Sequence, residues 1–199
     1  MSKDFWNSRY SEQEFAYGTE PNAFLIERLE KVKSGKALFL GEGEGRNAVY
    51  ASKLGLQVDA VDFSSSAKVK ALKLAEENKV TINYDVCDLN DYTFKEIYYD
   101  LVVMIFVHLP LDLRRKVFNK SIQSMKQNGK IIIEAFGKDQ INNSSGGPRS
   151  LDLLYSENDI LDLANNLKTV FLESKTINLE EGEHHQGKAD VIRYVGVKA

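Results

Sequence analysis

Three glycines in five residues, Gly41, Gly43 and Gly45, interrupt the chain directly after the apolar run Ala37-Leu38-Phe39-Leu40. A strand that empties into glycines at the rim of an open parallel sheet leaves backbone free to approach a ligand closely. Two carboxylates complete a constellation with that loop. Asp62, seventeen residues beyond Gly45, ends a second apolar run and can accept both hydroxyl hydrogens of an adenosine ribose. Asp88 ends a third beside Cys87 and Leu89, where it can accept from an adenine amino group while Phe63 and Leu89 cover the ring faces. Each feature alone has a bland counterpart, since a strand-to-helix turn needs a glycine and strand ends often carry solvated carboxylates. Together they point to a cofactor containing adenosine.

The loop itself separates the two adenosine cofactors that use such a site. Glu42 and Glu44 lie between its glycines. A nicotinamide dinucleotide brings two phosphates to this turn and gains from bare amides at a helix N-terminus, so adjacent carboxylates oppose it by Coulomb repulsion. S-adenosylmethionine (SAM) brings an ammonium and a cationic sulfonium, and the same carboxylates become neutral or helpful. The spacing is Gly-x-Gly-x-Gly, not Gly-x-Gly-x-x-Gly.

The elements that must position these residues alternate. Phe24, Leu25, Leu29 and Val32 predict a helix over 22–33, after Pro21 and before Ser34-Gly35. The glycine loop joins a strand to a helix carrying Ala48, Ala51 and Leu54, which Gly55 stops. A strand at 58–61 follows, then a helix capped by Ser64 and running to Asn78 through Ala67, Ala71, Leu74 and Ala75. A third strand is expected over 80–86, a short helix or loop over 90–96, and a central strand over 101–107, the most apolar run in the chain. Pro110 opens a helix whose face is Leu113, Val117, Ser121 and Met125, closed by Asn128-Gly129 before a strand at 130–135. The Asn-, Ser- and Gly-rich stretch from 136 to 150 is long for a compact domain, as lids and binding loops are. Ser156 caps a helix to about Asn166, and extended runs at 169–179 and 190–198 flank 180–188 as a hairpin, placing an antiparallel partner at the sheet edge.

Totals bound the class. A chain of 199 residues with 43% hydrophobic composition can bury one sizeable core, so residues 1–35 are expected to form an N-terminal helical cap on a single core domain at 36–199. Twenty-six basic against 29 acidic residues, net charge -3, supply no field for nucleic acid. The single Cys87 has no internal disulfide partner, the three histidines form no metal-ligand spacing, and the start Met1-Ser2-Lys3-Asp4 is too polar for a signal core. No run of about 18 apolar residues spans a bilayer. A cytoplasmic protein is expected, without nucleic acid, membrane or metal, acting as a monomer or weak homodimer.

The stretch Leu38-Phe39-Leu40-Gly41-Glu42-Gly43-Glu44-Gly45-Arg46-Asn47, with Asp62 and Asp88, resembles the class I SAM-dependent methyltransferase family. Its Gly-Arg-Asn sequence and length are similar to the branch of tellurite-resistance and related small-molecule methyltransferases. The resemblance covers essentially the whole chain. It implies an α/β, Rossmann-like three-layer sandwich with a seven-stranded, mostly parallel sheet and a reversed last strand, matching the terminal hairpin. It also implies cofactor contacts from Gly41, Gly43, Asp62, Phe63, Asp88, Leu89 and Phe106, to which the same loop and rim add Glu42, Asn47 and Cys87 as candidates. The family often carries an acid two positions before the first glycine; this chain has Phe39, so that support must come from elsewhere, with Glu42 the candidate.

Methyl transfer from a sulfonium is an in-line displacement that needs positioning more than a reactive side chain, and a base only for a neutral acceptor. His108 sits on the expected rim, either facing the acceptor or capping the next helix. His184, His185 and Arg193 resemble the histidine and downstream arginine proposed to handle the acceptor in the tellurite-resistance branch; His184 and His185 read equally as plain surface loop. Trp6, Tyr10 and above all Tyr17 can fold over a sulfonium or simply pin a helix, and Arg46 can bind an acceptor anion or pair with Glu42 or Glu44. The expected function is SAM-dependent methyl transfer to a small-molecule acceptor. A non-catalytic SAM-binding module and an NAD-linked oxidoreductase are the alternatives, read respectively by SAM binding without turnover and by nicotinamide binding without SAM.

Overall fold

A computed structural model describes residues 2–199. Met1, the first residue of the expected cap, lies outside the described residues. The elements run α1 (Lys3–Ser11), α2 (Ala23–Leu29), β1 (Gly35–Leu40), α3 (Arg46–Lys53), β2 (Leu56–Asp62), α4 (Ser65–Glu77), β3 (Asn83–Val86), β4 (Tyr99–Ile105), α5 (Leu111–Ser124), β5 (Met125–Phe136), α6 (Glu157–Leu163), β6 (Lys168–Glu181) and β7 (His185–Val197). The strands form one sheet in the order β3-β2-β1-β4-β5-β7-β6. β1 to β5 pair in parallel and β7 runs antiparallel to both β5 and β6. The seven-stranded sheet with a reversed last strand is as expected, but the reversed strand sits inside the sheet and β6 takes the edge.

Alternation along β1 builds the three layers. Ala37 and Phe39 face the helices on one side, packing with Phe24 and Leu29 of α2, Ala48 and Ala51 of α3, and Leu74 of α4. Leu38 and Leu40 face the other, with Val117 and Phe118 of α5 and Ile160 of α6. Both faces are buried, which is why β1 from Ala37 and β4 from Leu101 are continuous apolar runs without polar alternation. The switch from β2 on one flank of β1 to β4 on the other opens a crevice at the carboxyl ends of these strands. Among the described residues, no helix is long and apolar enough to cross a membrane.

Several boundaries depart from expectation; the helix expected over 22–33 spans Ala23–Leu29, and the strand expected from 80 starts at Asn83. Helix α5 stops at Ser124, four residues before the Asn128-Gly129 signal, because Met125 leaves the helix to pair with Tyr99 across a register shift in β4 and β5. Its buried side chain satisfies helical periodicity and strand packing equally, so the pattern alone did not separate them. Of the two readings of 90–96, helix or loop, the chain takes the loop. The largest difference is the hairpin: β6 and β7 extend until Glu181 pairs with His185, leaving a three-residue connection at 182–184 in place of an open 180–188 loop. An edge hairpin alternates polar residues along both strands, which reads as loop in a sequence. Helix α6 begins where expected, its Ser156 and Asp159 forming a reciprocal cap, and is shorter than the run to Asn166.

Candidate active site

The glycine loop starts α3 with Gly45 at φ +90°, and a Cβ there would stand 2.7 Å from the Ala71 Cβ, so α3 begins hard against α4. Glu42 then folds back over the helix it precedes. Its Oε1 accepts the amide hydrogens of Asn47 (3.1 Å) and Ala48 (2.7 Å), two of the unpaired donors of the first turn of α3. Burial pushes its carboxyl up to about 8, against the pull of those hydrogen bonds and of Arg46. Phe39, where an acid was missed, is fully buried in the core beneath α2. Glu44 turns the other way, accepting from the Ala16 amide (2.8 Å) and the Lys70 ammonium (2.7 Å). Of the two loop carboxylates, only Glu42 therefore acts where a phosphate would have to bind.

Asp62 braces the same loop. One carboxylate oxygen accepts from the Gly43 amide (3.1 Å) and the other from Ser64 (2.9 Å), which leaves each a further lone pair. Burial raises its pKa to about 6, with those amides opposing.

Around the loop lies a cavity of about 470 Å³. Gly41, Glu42, Gly43, Asn47 and Asp62 form its floor, and Phe63, Cys87, Asp88 and Leu89 the flank beyond β2 and β3. Phe106 and His108 enter from the end of β4, and Tyr17 and His185 from the N-terminal strap and the hairpin. Residues spaced across almost the whole sequence thus meet in one place. Arg193 does not line it. Opposite Glu134 in the β5–β7 ladder, its guanidinium donates to that carboxylate and lies 5.0 Å over the Phe24 ring, inside the support of the sheet. His184 does not line the cavity either, although its ring is 6.1 Å from that of Tyr17.

The end of the cavity beyond β4 is aromatic. Phe106, in the left-handed region at φ +55°, stacks on Phe136 at 4.5 Å, and His185 meets Tyr17, Phe106 and Phe136 at 4.4, 4.7 and 5.3 Å. A non-glycine residue held at that φ marks a position the surroundings over-determine, as functional sites do. His185 is a strand residue only 5% exposed, not the surface loop its sequence setting allowed. Its Nδ1 lies 3.1 Å from a Glu181 oxygen that also accepts from Arg46 (2.8 Å). An anionic carboxylate has only lone pairs to offer, so Nδ1 carries the hydrogen and Nε2 keeps its lone pair. Burial works to raise the Glu181 pKa, but the His185 hydrogen bond and Arg46 hold it at about 2. Burial lowers that of His185, with Glu181 opposing and Arg46 and Arg9 reinforcing.

His108 caps no helix, since Pro110 holds the N-cap position of α5 and no side chain bonds there. Its Nδ1 donates to the Leu153 carbonyl (2.8 Å) and its Nε2 accepts from the Phe136 amide (3.3 Å), so both ring nitrogens are engaged in seating the 137–153 connection on β4. Burial draws its pKa down to about 4. Arg46 takes the pairing role, though with Glu181 and the Tyr17 and Glu20 carbonyls, not with the loop glutamates.

Sequence reasoning missed Glu181, which orients His185, and Arg9, whose guanidinium bonds the Tyr17 hydroxyl (2.9 Å) on the cavity wall. A tight turn at Gly182 would have revealed the first by pairing 181 with 185. Nothing in the spacing marks the second.

Comparison with known proteins agrees with this geometry. Residues 2–184 match the model of the family described as tellurite resistance protein TehB. Phosphoethanolamine N-methyltransferase 2 of Caenorhabditis elegans is 28% identical over 172 residues, 81% of this chain; the chain spans only 38% of that relative's length. The solved structure of TehB from Haemophilus influenzae is 17% identical with a TM-score of 0.74, covering 99% of this chain and 67% of that one. N-methyltransferase NodS from Bradyrhizobium japonicum WM9, in complex with S-adenosyl-l-homocysteine, gives 14% identity and a TM-score of 0.74 over 98% of this chain and 97% of its own. The likeness to the solved structures establishes the fold and the family model the lineage: the chain belongs to the tellurite resistance protein TehB family, on the fold of the SAM-dependent methyltransferases.

Proposed function

We propose that the protein is a methyltransferase that takes its methyl group from SAM and delivers it to a small-molecule acceptor held beneath Tyr17 and His185. The observation that carries this reading is the Glu42 carboxylate seated on the first-turn amides of α3. Those amides are where a dinucleotide's pyrophosphate would be received, and a carboxyl group that already accepts from them, and that ionises when a cation arrives beside it, turns that site from phosphate-binding to cation-tolerant. The remaining residues fit SAM. Asp62 retains lone pairs for ribose hydroxyls, Phe63 and Leu89 offer faces for adenine, and the rings of Tyr17, Phe106 and Phe136 suit a sulfonium.

When bound, SAM supplies an electrophilic methyl group and needs no covalent help from the enzyme. The chain's own contribution is to orient and to exclude water. Tyr17 covers the cavity, Glu181 fixes the His185 tautomer, and the Nε2 lone pair of His185 can take a proton from a neutral acceptor. His108 contributes as the anchor of one wall. Membership of the TehB family and the S-adenosyl-l-homocysteine bound to NodS support the same cofactor. The single Cys87 fits a cytoplasmic setting, and a monomer or weak homodimer suffices because one chain lines the whole cavity.

Calorimetric titration with SAM and with NADH tests the reading. SAM is expected to bind and NADH not, and Asp62→Ala to weaken SAM binding more than about tenfold, about 1.4 kcal/mol. Binding of NADH without SAM would sink it.

A further inference from the structure

The charges on the cavity wall restrict what the acceptor can be. Among the described residues, Arg9 and Arg46 are the cations that line it. Arg46 is spent on Glu181 and on the Tyr17 and Glu20 carbonyls, and Arg193, the other candidate for an anionic acceptor, is held by Glu134. Of the two, Arg9 alone is paired with no carboxylate among the described residues, its guanidinium lying 4.7 Å over Phe5 and 5.5 Å over Trp6. One such cation matches the one carboxylate that SAM itself brings, and none is left for an oxyanion. A protonated amine fares no better. Glu181, the carboxylate nearest His185, is already shared between that ring and Arg46.

What the acceptor end does offer is polarisable surface and one lone pair. Phe106 and Phe136 stack beside His185, with Leu153 and Pro148 on the same wall. Gly146 lets the 143–150 segment press close: a Cβ there would stand 2.7 Å from the His185 Cδ2. His185 lines the cavity, and its Nε2 forms no hydrogen bond among the described residues. Sulfur makes favourable contacts with aromatic rings, and a thiol's proton, near pKa 8.5 in the free state, is within reach of an imidazole where an alcohol's is not.

We infer that the acceptor is an uncharged thiol on an apolar carbon frame, held against Phe106 and Phe136, with its S–H directed at His185 Nε2. This rests on the methyltransferase reading above. In the step it implies, the thiol proton passes to Nε2 and the sulfur forms a bond to the methyl carbon. The sulfonium–methyl bond breaks with its electron pair retained by the departing thioether. The products are a methyl thioether and S-adenosylhomocysteine, and the proton leaves His185 for solvent.

The test uses the whole protein with SAM and three probes, benzyl mercaptan, benzylamine and sodium tellurite, with methylated products read by mass spectrometry. Benzyl mercaptan is expected to yield benzyl methyl sulfide at least tenfold faster than either other probe is methylated. Apart from turnover, benzyl methyl sulfide should quench the fluorescence of Trp6, the chain's one tryptophan and a cavity residue, while tellurite leaves it unchanged. His185→Gln should slow benzyl mercaptan turnover about 100-fold at neutral pH. The rate should recover as pH rises through the thiol's own ionisation, since a preformed thiolate needs no base. Glu181, Arg46, Arg9, Tyr17 and His108 face this imidazole, and all are retained in that variant. Preference for tellurite or benzylamine, or a His185→Gln defect that persists at high pH, would overturn the thiol assignment while SAM binding by calorimetry left the methyltransferase reading standing. Loss of SAM binding in the unaltered protein would remove the reading beneath it. The probe comparison needs no variant, so the inference stays testable if His185→Gln does not fold.

Discussion

The two ends of the cavity are built on different principles. At the glycine loop, contacts run through the main chain: Glu42 and Asp62 accept from the amides of Gly43, Ser64, Asn47 and Ala48, all within a span of twenty-three residues. At the acceptor end, rings from four distant segments meet, and His185 is oriented by a side chain across a turn. The first kind of site is fixed by backbone geometry and serves a ligand of constant shape. The second depends on side-chain packing and can be rebuilt without disturbing the first, which is how one fold hosts many acceptors.

That contrast can be broken experimentally. The largest effect is expected at Arg193, which on this account serves the sheet and not the acceptor. Arg193→Met strands the fully buried Glu134 carboxylate and should destabilise the protein by about 3–5 kcal/mol in denaturant unfolding, with SAM affinity in the folded protein unchanged. A weakened SAM affinity at preserved stability would merge the two regions.

A smaller effect sharpens the polar end. The Glu42 carboxyl, raised to about 8 by burial, is largely protonated at pH 7, and an arriving ammonium favours its ionised form. SAM binding at pH 7 should therefore release up to about one proton, read as a calorimetric enthalpy that varies with the ionisation heat of the buffer. Glu42→Gln should abolish the variation; an unchanged buffer dependence would assign the proton elsewhere.

The smallest effect belongs to His108. Its folded pKa of about 4 lies below the unfolded 6.5, so between those values the unfolded chain binds the proton and the folded one resists it. The stability this neutral ring contributes is fully present above pH 6.5 and is lost as pH falls toward 4. Asp62 works in the opposite sense, since its folded pKa of about 6 exceeds the unfolded 3.8 and protonation favours the fold. The difference curve isolates the histidine: relative to the unaltered protein, His108→Phe should gain stability as pH drops from 6.5 to 4 in thermal melts. A flat difference would mean that the ring titrates in the fold as it does in the unfolded chain.

The legibility of the sequence follows the same division. The loop, Asp62 and Ser64 could be read because a close backbone approach demands glycine and strand ends recur at βα spacing. Glu181 and His185 are harder to pair, because polar residues continue on both sides of Gly182 and hide the turn, and a shift of the register by one would flip His185 to the other face. Arg193 misled for the converse reason. A basic residue inside an apolar strand reads as functional, and the partner that explains it, Glu134, is fifty-nine positions away.

The strap that carries Tyr17 also binds the hairpin directly, the His184 amide donating to the Ala16 carbonyl at 3.3 Å while Ala16 in turn donates to Glu44. A guest beneath Tyr17 and His185 thus touches both ends of the polypeptide at once, and occupancy works as a reversible cross-link between termini that the sheet alone does not join. Loading the cavity should then protect the strap and the hairpin turn together from amide exchange and proteolytic nicking, so that the chain's two extremities become a single cooperative unit.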